Sequence, residues 1–456
     1  MTSHFLLFRS AATESAFFLM LVGLFALPLH AQSAPAGTRP SDSVRETTPL
    51  MQAEDALAAQ DFARAKTLLL PLTAQPGTDA ISHGRAFYDL GYADEALRDD
   101  TAAEAAYRSA IAADPKQFEA HAALGLLLLP KDKTEARKEL IAAAALTPAA
   151  NEASARAEVA RALAHIDVNS NPEAAREEIL AAIKLTDETL DDTLLTAQIA
   201  EQLSDFADAE STCRRALDTH PDDPDAVFAC ARLYIHEARL PQAQAILEPA
   251  LKAHPDASPL SAQLARVYML QGASDKALPL LEGEHTRHLN DASITRMLAD
   301  ICARTGNAPR ADALYQTLLA KSPDDIGLLI GRGDSLIQQK RFAEAQAVLQ
   351  HADVLYTAQP ALLPATDDRV QLTGELAFAA SENGQPAVVL ATLDQRLQFA
   401  EETPATLFLR ATAHDHLHHT AQARAGYTQF LAAAQGKFPD EEWEARHRLV
   451  ALAHEK

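Results

Sequence analysis

Residues 190–223 read LDDTLLTAQIAEQLSDFADAESTCRRALDTHPDD, and residues 224–257 read PDAVFACARLYIHEARLPQAQAILEPALKAHPDA. Laid over one another without a gap, they set Ala197 on Ala231 and Ala209 on Ala243. The register continues downstream: Ala265, Ala299 and Gly333 follow Ala231 at a 34-residue step, and Ala277, Ala311 and Ala345 follow Ala243. A third row of small residues, Ala216, Ala250 and Ala352, keeps the same phase, as do Pro221, Pro255 and Pro323. From Leu190 to Gln359 the chain therefore holds five superimposable segments. Such a period means one supersecondary unit per repeat, each burying its apolar face against the next. Small residues let two helices approach closely, and a proline at the end of a segment resets the chain for the following helix.

A 34-residue period with one small residue in a first helix, two in a second helix and a closing proline resembles the tetratricopeptide repeat family. The resemblance implies an all-α fold: an α-solenoid, a right-handed superhelix of helix-turn-helix units. Scarce aromatics, at 5%, and the lack of β-branched runs between turn residues agree with an all-α chain. Upstream, Gly84–Gln117 carries Phe87, Leu90 and Gly91, then Ala103, Tyr107 and Ala110, then Pro115. Two further units, from Phe118 and from about Ala150, are shorter and longer than the period, and the surplus of the second is expected in the loop Asp167–Pro172. A degenerate unit opens the array near Pro49. After Gln359 the phase slips by ten residues, because Ala377 is the next equivalent of Gly333, and the segment with Pro360 and Pro364 reads as an insertion or a lengthened helix end. The array of about eleven units is expected over residues 49–437. Residues 438–456, with Trp443, Leu449, Val450 and Leu452, read as an amphipathic helix covering the last open face.

Residues 1–31 carry Arg9, an apolar run from Ala16 to Leu29 and small residues at the end, which reads as a cleaved signal peptide and implies a periplasmic or secreted protein. Retention of the run as a membrane anchor is the alternative, making the protein a tethered adaptor. Residues 32–48, rich in Ser, Thr, Pro and charge, read as a flexible linker. The net charge of −23 disfavours nucleic acid and anionic membrane surfaces as partners. Cys213, Cys230 and Cys302 are too few for a disulfide framework and fall at core positions, with Cys213 and Cys230 placed to face each other across a seam between units.

No nucleophile elbow, phosphate loop, His-Glu-x-x-His or paired Cys-x-x-Cys occurs, so no catalytic residue, cofactor or enzymatic activity is expected. His414, His416, His418 and His419 around Asp415 make the one metal-like cluster. His414 and His418 would share a helix face, yet these positions also suit a helix end, and no metal site is assigned. Arg332, Gly333, Asp334 and Ser335 spell an adhesion tripeptide, but Gly333 is needed as the small residue of a helix. Gly327, Gly331 and Gly333 likewise lie in a helix and not in a phosphate cradle.

In the family that the repeats resemble, first helices line a concave groove, into which the residue after the small position and the one three before it usually point. Those positions hold Arg232, Arg266 and Arg296, with Arg304 one turn beyond, while Asp300 and Asp334 take over further along. Guanidinium groups bind carboxylates in two-point fashion, so the expected partners are proteins or peptides, acidic segments among them. The expected function is an exported scaffold that holds partners in this groove, in envelope assembly, secretion or polysaccharide export.

Overall fold

The computed structural model describes residues 48–74, 79–146, 153–362 and 365–454, which form 23 α-helices and no strand. The expected signal segment and the linker up to residue 47 lie outside the described residues. The described chain divides into two compact units, residues 48–238 and 239–454. In the first, helix pairs follow one another as Pro49–Ala58 with Phe62–Thr73, Ala80–Ala96 with Asp100–Ala113, Phe118–Leu128 with Lys133–Ala145, Ala153–Asp167 with Pro172–Leu185 and Leu190–Gln202 with Phe206–Thr219, before the helix Pro224–His236. The second opens on Leu240–Ala253. It continues with the pairs Ser258–Leu270 and Ser274–Arg287, Ala292–Arg304 and Ala308–Leu319, Ile326–Gln338 and Phe342–Ala358, Thr366–Glu382 and Pro386–Arg396, and Pro404–His416 and Thr420–Ala434. The helix Pro439–His454 ends it. Among the described residues, no helix is long and apolar enough to cross a membrane.

The turn inside each pair is built by backbone geometry. After Gln202 the Ser204 N–H donates to the Glu201 carbonyl (3.0 Å) and the Asp205 N–H to that of Ala200 (2.8 Å), closing the helix with Ser204 at φ 59°. The Asp205 carboxylate then receives the Asp208 N–H (3.2 Å) and starts the second helix. The same left-handed residue recurs at the repeat step, as Ala238, Gly272, Gly306 and Lys340. Only two of these five are glycine, the residue that adopts this conformation without steric cost.

The small residues do the packing expected of them. Ala209, Ala243, Ala277, Ala311 and Ala345 are wholly buried. Where glycine takes the small position of the first helix, a large side chain of its second helix fills the space. A Cβ at Gly333 would stand 2.5 Å from Leu349, one at Gly91 2.6 Å from the Tyr107 ring and one at Gly125 2.6 Å from Leu140. Within each unit, first helices of most successive pairs also pack directly on one another, forming one face, with the second helices on the other.

Three departures have local causes. The surplus expected in the loop 167–172 lies partly in the helix itself: Ala153–Asp167 has 15 residues, against 13 for Leu190–Gln202. Its last residue, Asp167, has its buried carboxylate clamped by Arg137 through two bonds of 2.7 Å. The phase slip after Gln359 is absorbed by lengthening Phe342–Ala358 and Thr366–Glu382 to 17 residues each, with a 3-10 turn at Pro360–Leu362. The final helix covers the preceding pair with Ala445, Leu449 and Leu452, whereas Trp443 and Val450 face outward, 61% and 63% exposed. Arg448 sets that rotation by gripping Asp415 with two bonds of 2.6 Å.

Candidate partner groove

Each arginine singled out by the spacing sits on a first helix, but their surroundings differ. In the unit 48–238, Arg232 Nη2 lies 2.8 Å from Glu201 on the preceding first helix, and the other carboxylate oxygen of Glu201 lies 3.1 Å from His236. Arg232 is thus committed to a seam between helices. In the unit 239–454, Arg304 is exposed and donates to the Met269 carbonyl (3.1 Å), tying its helix to the previous one. Arg266 is half-buried, and burial draws its guanidinium below the ordinary arginine value.

Arg296 is also half-buried and points along the helix row toward Gly327, where a Cβ would stand 2.7 Å from Nη2. The glycine at the start of the next first helix therefore makes room for the guanidinium. Among the described residues, Arg296 makes no hydrogen bond or ion pair with a carboxylate. Asp300, on which Arg296 acts electrostatically, accepts instead from the Tyr315 hydroxyl (2.5 Å). Burial raises the Asp300 carboxyl above its usual range, while Tyr315, Arg296 and Arg304 oppose that rise. The Tyr315 ring reaches Asp300 by crossing Gly331, whose absent Cβ would meet it at 2.6 Å. All three glycines of this helix thus have packing or clearance duties, and the tripeptide Arg332-Gly333-Asp334 is helical, with Arg332 held by Asp312 (2.8 Å).

Carboxylates continue the row beyond Asp300. Burial raises Asp334 as well, and it pushes Glu375 from 4.5 to about 8, with Asp334 adding repulsion. Glu375 accepts one bond from Gln371 (2.7 Å), while its Oε2 is buried without a hydrogen-bond partner. Sequence spacing did not single out Glu375, which stands two residues before Ala377 and outside the two positions considered. The same face thus passes from arginine-rich over residues 266–304 to acidic over residues 334–375.

The histidine cluster is arranged differently from the expected helix-face pair. The helix Pro404–His416 stops before His418, which takes the left-handed turn conformation at φ 57°. His414 therefore meets His419 instead, Nδ1 to Nδ1 at 3.3 Å. Burial, His419 and Arg410 together draw His414 below its ordinary value. Among the described residues, no three His, Cys, Asp or Glu side chains converge as metal ligands would. Cys213, Cys230 and Cys302 are buried free thiols, and Cys230 Sγ lies 3.6 Å from the Cys213 carbonyl oxygen across the expected seam.

The fold is an all-α solenoid of helix-turn-helix units. Tetratricopeptide repeat models match residues 50–118, 159–224, 200–262 and 296–360, together more than half of the chain. The chain belongs to the tetratricopeptide repeat family. No curated protein matches it. Similar solved structures include the APC/C hetero-tetramer Cut9–Hcn1, with 16% identity, 87% of this chain and 83% of that one covered and a TM-score of 0.44. A tetratricopeptide repeat protein from Parabacteroides merdae has 13% identity, covers 58% and 99% and has a TM-score of 0.40. The P58(IPK) repeat domain has 17% identity, covers 90% and 99% and has a TM-score of 0.34.

Proposed function

We propose that this protein is an exported scaffold whose first-helix face in the unit 239–454 holds an extended segment of a partner protein. The observation that carries the reading is Arg296. It is a half-buried guanidinium that a glycine accommodates, with no carboxylate bonded to it among the described residues and with Asp300 engaged by Tyr315. An acidic side chain of a partner is the complement such a group lacks. Arg266, at the equivalent face of the preceding pair, extends the stretch. Several contacts of about 1 kcal/mol each, spread over successive repeats, suffice for specific binding.

The apolar run Ala16–Leu29 supports export to the periplasm or the cell exterior, and envelope assembly, secretion and polysaccharide export are the pathways in which such a scaffold fits. The net charge of −23 weighs against nucleic acid as the partner. Affinity capture from an envelope extract tests the binding reading, with the wild-type chain beside the double variant Arg266→Glu and Arg296→Glu. Arg232 is left intact because reversing its charge would break its pair with Glu201. Loss of specific partners from the variant is expected, and an identical partner set for both chains refutes the groove. N-terminal sequencing of the soluble form tests export: a start near Gln32 is expected, and an intact Met1 in the membrane fraction favours the tethered adaptor.

A further inference from the structure

The position three residues before the small one carries Ala262, Arg296, Ile330 and Phe408 in four first helices of the unit 239–454. In the helix Thr366–Glu382 it carries Gly374. A Cβ placed there would meet one neighbour within 4 Å, Arg396 Nη1 at 3.6 Å. The first-helix face is therefore open at Gly374, and behind the opening lies the guanidinium of the last residue of the helix Pro386–Arg396.

Arg396 is 7% exposed, and its Nε has no hydrogen-bond partner. Its Nη1 donates to the Val370 carbonyl and to the Thr373 hydroxyl (3.2 Å), two neutral groups. Burial alone draws it below the ordinary arginine value, with no carboxylate among the groups that act on it. Glu375, next along the helix, responds to Asp334 and not to Arg396. A buried guanidinium without a counter-charge is costly, and native proteins pair such groups or complete them with a ligand. One turn beyond the opening on the same helix stands Phe378, 39% exposed and edge-on to Phe342.

We infer that Gly374 and Arg396 form a seat for one carboxylate of a bound peptide, with Phe378 as the apolar shelf for the residue beside it. The carboxylate comes through the gap left by Gly374 and meets the guanidinium of Arg396, which stays charged and whose Nε–H is the donor without a partner among the described residues. This seat deepens the groove reading and rests on it. It also lies apart from Arg266 and Arg296, so the capture variants above leave it intact and either idea can fail alone.

The test uses the full chain and three fluorescein-labelled hexapeptides of leucine, alanine and serine, read by fluorescence polarisation. One has a free α-carboxylate, one has an amidated end and a central glutamate, and one is amidated and neutral. One carboxylate peptide is expected to bind at least about tenfold tighter than the neutral peptide. Preference for the first identifies a chain terminus as the ligand, and preference for the second an acidic side chain. Gly374→Gln fills the opening with a neutral side chain at a helical position free of close contacts, and it should reduce binding to the neutral level, as should Arg396→Met. No preference for either carboxylate, or a preference that survives Gly374→Gln, overturns the seat. So does a fall in melting temperature on Arg396→Met, which would mark Arg396 as a structural strut.

Discussion

Arg161 and Arg396 are both largely covered arginines on helices of the same solenoid, and they are treated in opposite ways. Arg161 grips Asp192 with Nε and Nη2 at 2.7 and 2.8 Å and adds Thr186 at 2.8 Å. Asp192 in turn closes the capping box with Thr189 that starts the helix Leu190–Gln202. Among the described residues, Arg396 has only a carbonyl and a hydroxyl. The contrast separates two uses of charge in a repeat array. At Arg161 a guanidinium and a carboxylate satisfy each other and fasten one helix pair to the next. At Arg396 the positive half of such a pair stands behind a gap in the face.

Replacing each arginine by methionine sharpens the contrast and should give the largest effect. Arg161→Met leaves the Asp192 carboxylate buried without its cation and is expected to cost about 3 kcal/mol, as loss of one partner of a buried pair does. Arg396→Met removes an uncompensated charge. Thr373 keeps its own bond to the Arg369 carbonyl (2.8 Å), so its hydroxyl is not orphaned and no loss is expected. Hydrogen exchange resolves the two regions even where a repeat array does not melt as one unit. Faster exchange over residues 186–202 is expected for the first variant, with no change over residues 366–396 for the second.

The carboxylates beside the two arginines should respond to acid in opposite senses. Burial pushes Asp192 upward, but the bonds from Arg161 and from the Thr189 backbone outweigh it and hold the carboxyl below 3.8. Its stabilisation is present above 3.8 and fades as pH falls through the lower folded value. Glu375 is raised from 4.5 to about 8. Between those values the folded chain holds a proton that the unfolded chain has released, so stability falls as pH rises through the window and is steady above it. Local opening of residues 366–396, corrected for intrinsic exchange, should therefore be rarer at pH 5 than at pH 8. Glu375→Gln should flatten that difference. A pH dependence unchanged in Glu375→Gln would show that the row from Asp334 to Glu375 is better solvated than its geometry implies.

The fold was legible because close helix packing needs small side chains at fixed intervals, and alanine or glycine recurring every 34 residues marks a stack of helix pairs. Gly374 could even be placed three residues before Ala377 by spacing alone. The guanidinium behind it could not, because Arg396 belongs to the next helix and the direction of a long side chain depends on what surrounds it. The same limit applies to Arg232. Its position matches that of Arg266, yet Glu201 claims it. It applies again to Trp443 and Val450, which an amphipathic reading placed inward. The grip of Arg448 on Asp415 turns the last helix so that Leu449 and Leu452 cover the preceding pair instead.

The smallest effect provides the control for the comparison. Ser204, in the unit that contains Arg161, and Lys340, in the unit that contains Arg396, occupy the same left-handed turn position, at φ 59° and 60°. Gly272 and Gly306 fill that position elsewhere at φ 77° and 80°. A side chain in this conformation is strained by its Cβ, and glycine relieves the strain while adding freedom to the unfolded chain, so a net gain of about 0.5 kcal/mol is expected for Ser204→Gly and for Lys340→Gly. Equal gains in local exchange protection would show that the two regions share one backbone design, so that differences between the arginine variants arise from side-chain charge. A gain at Ser204 with none at Lys340 would instead mean that the turn next to the lengthened helix Phe342–Ala358 is held by contacts beyond its own dihedral angles, and the stability of the region around Arg396 would then have to be attributed to that helix as well.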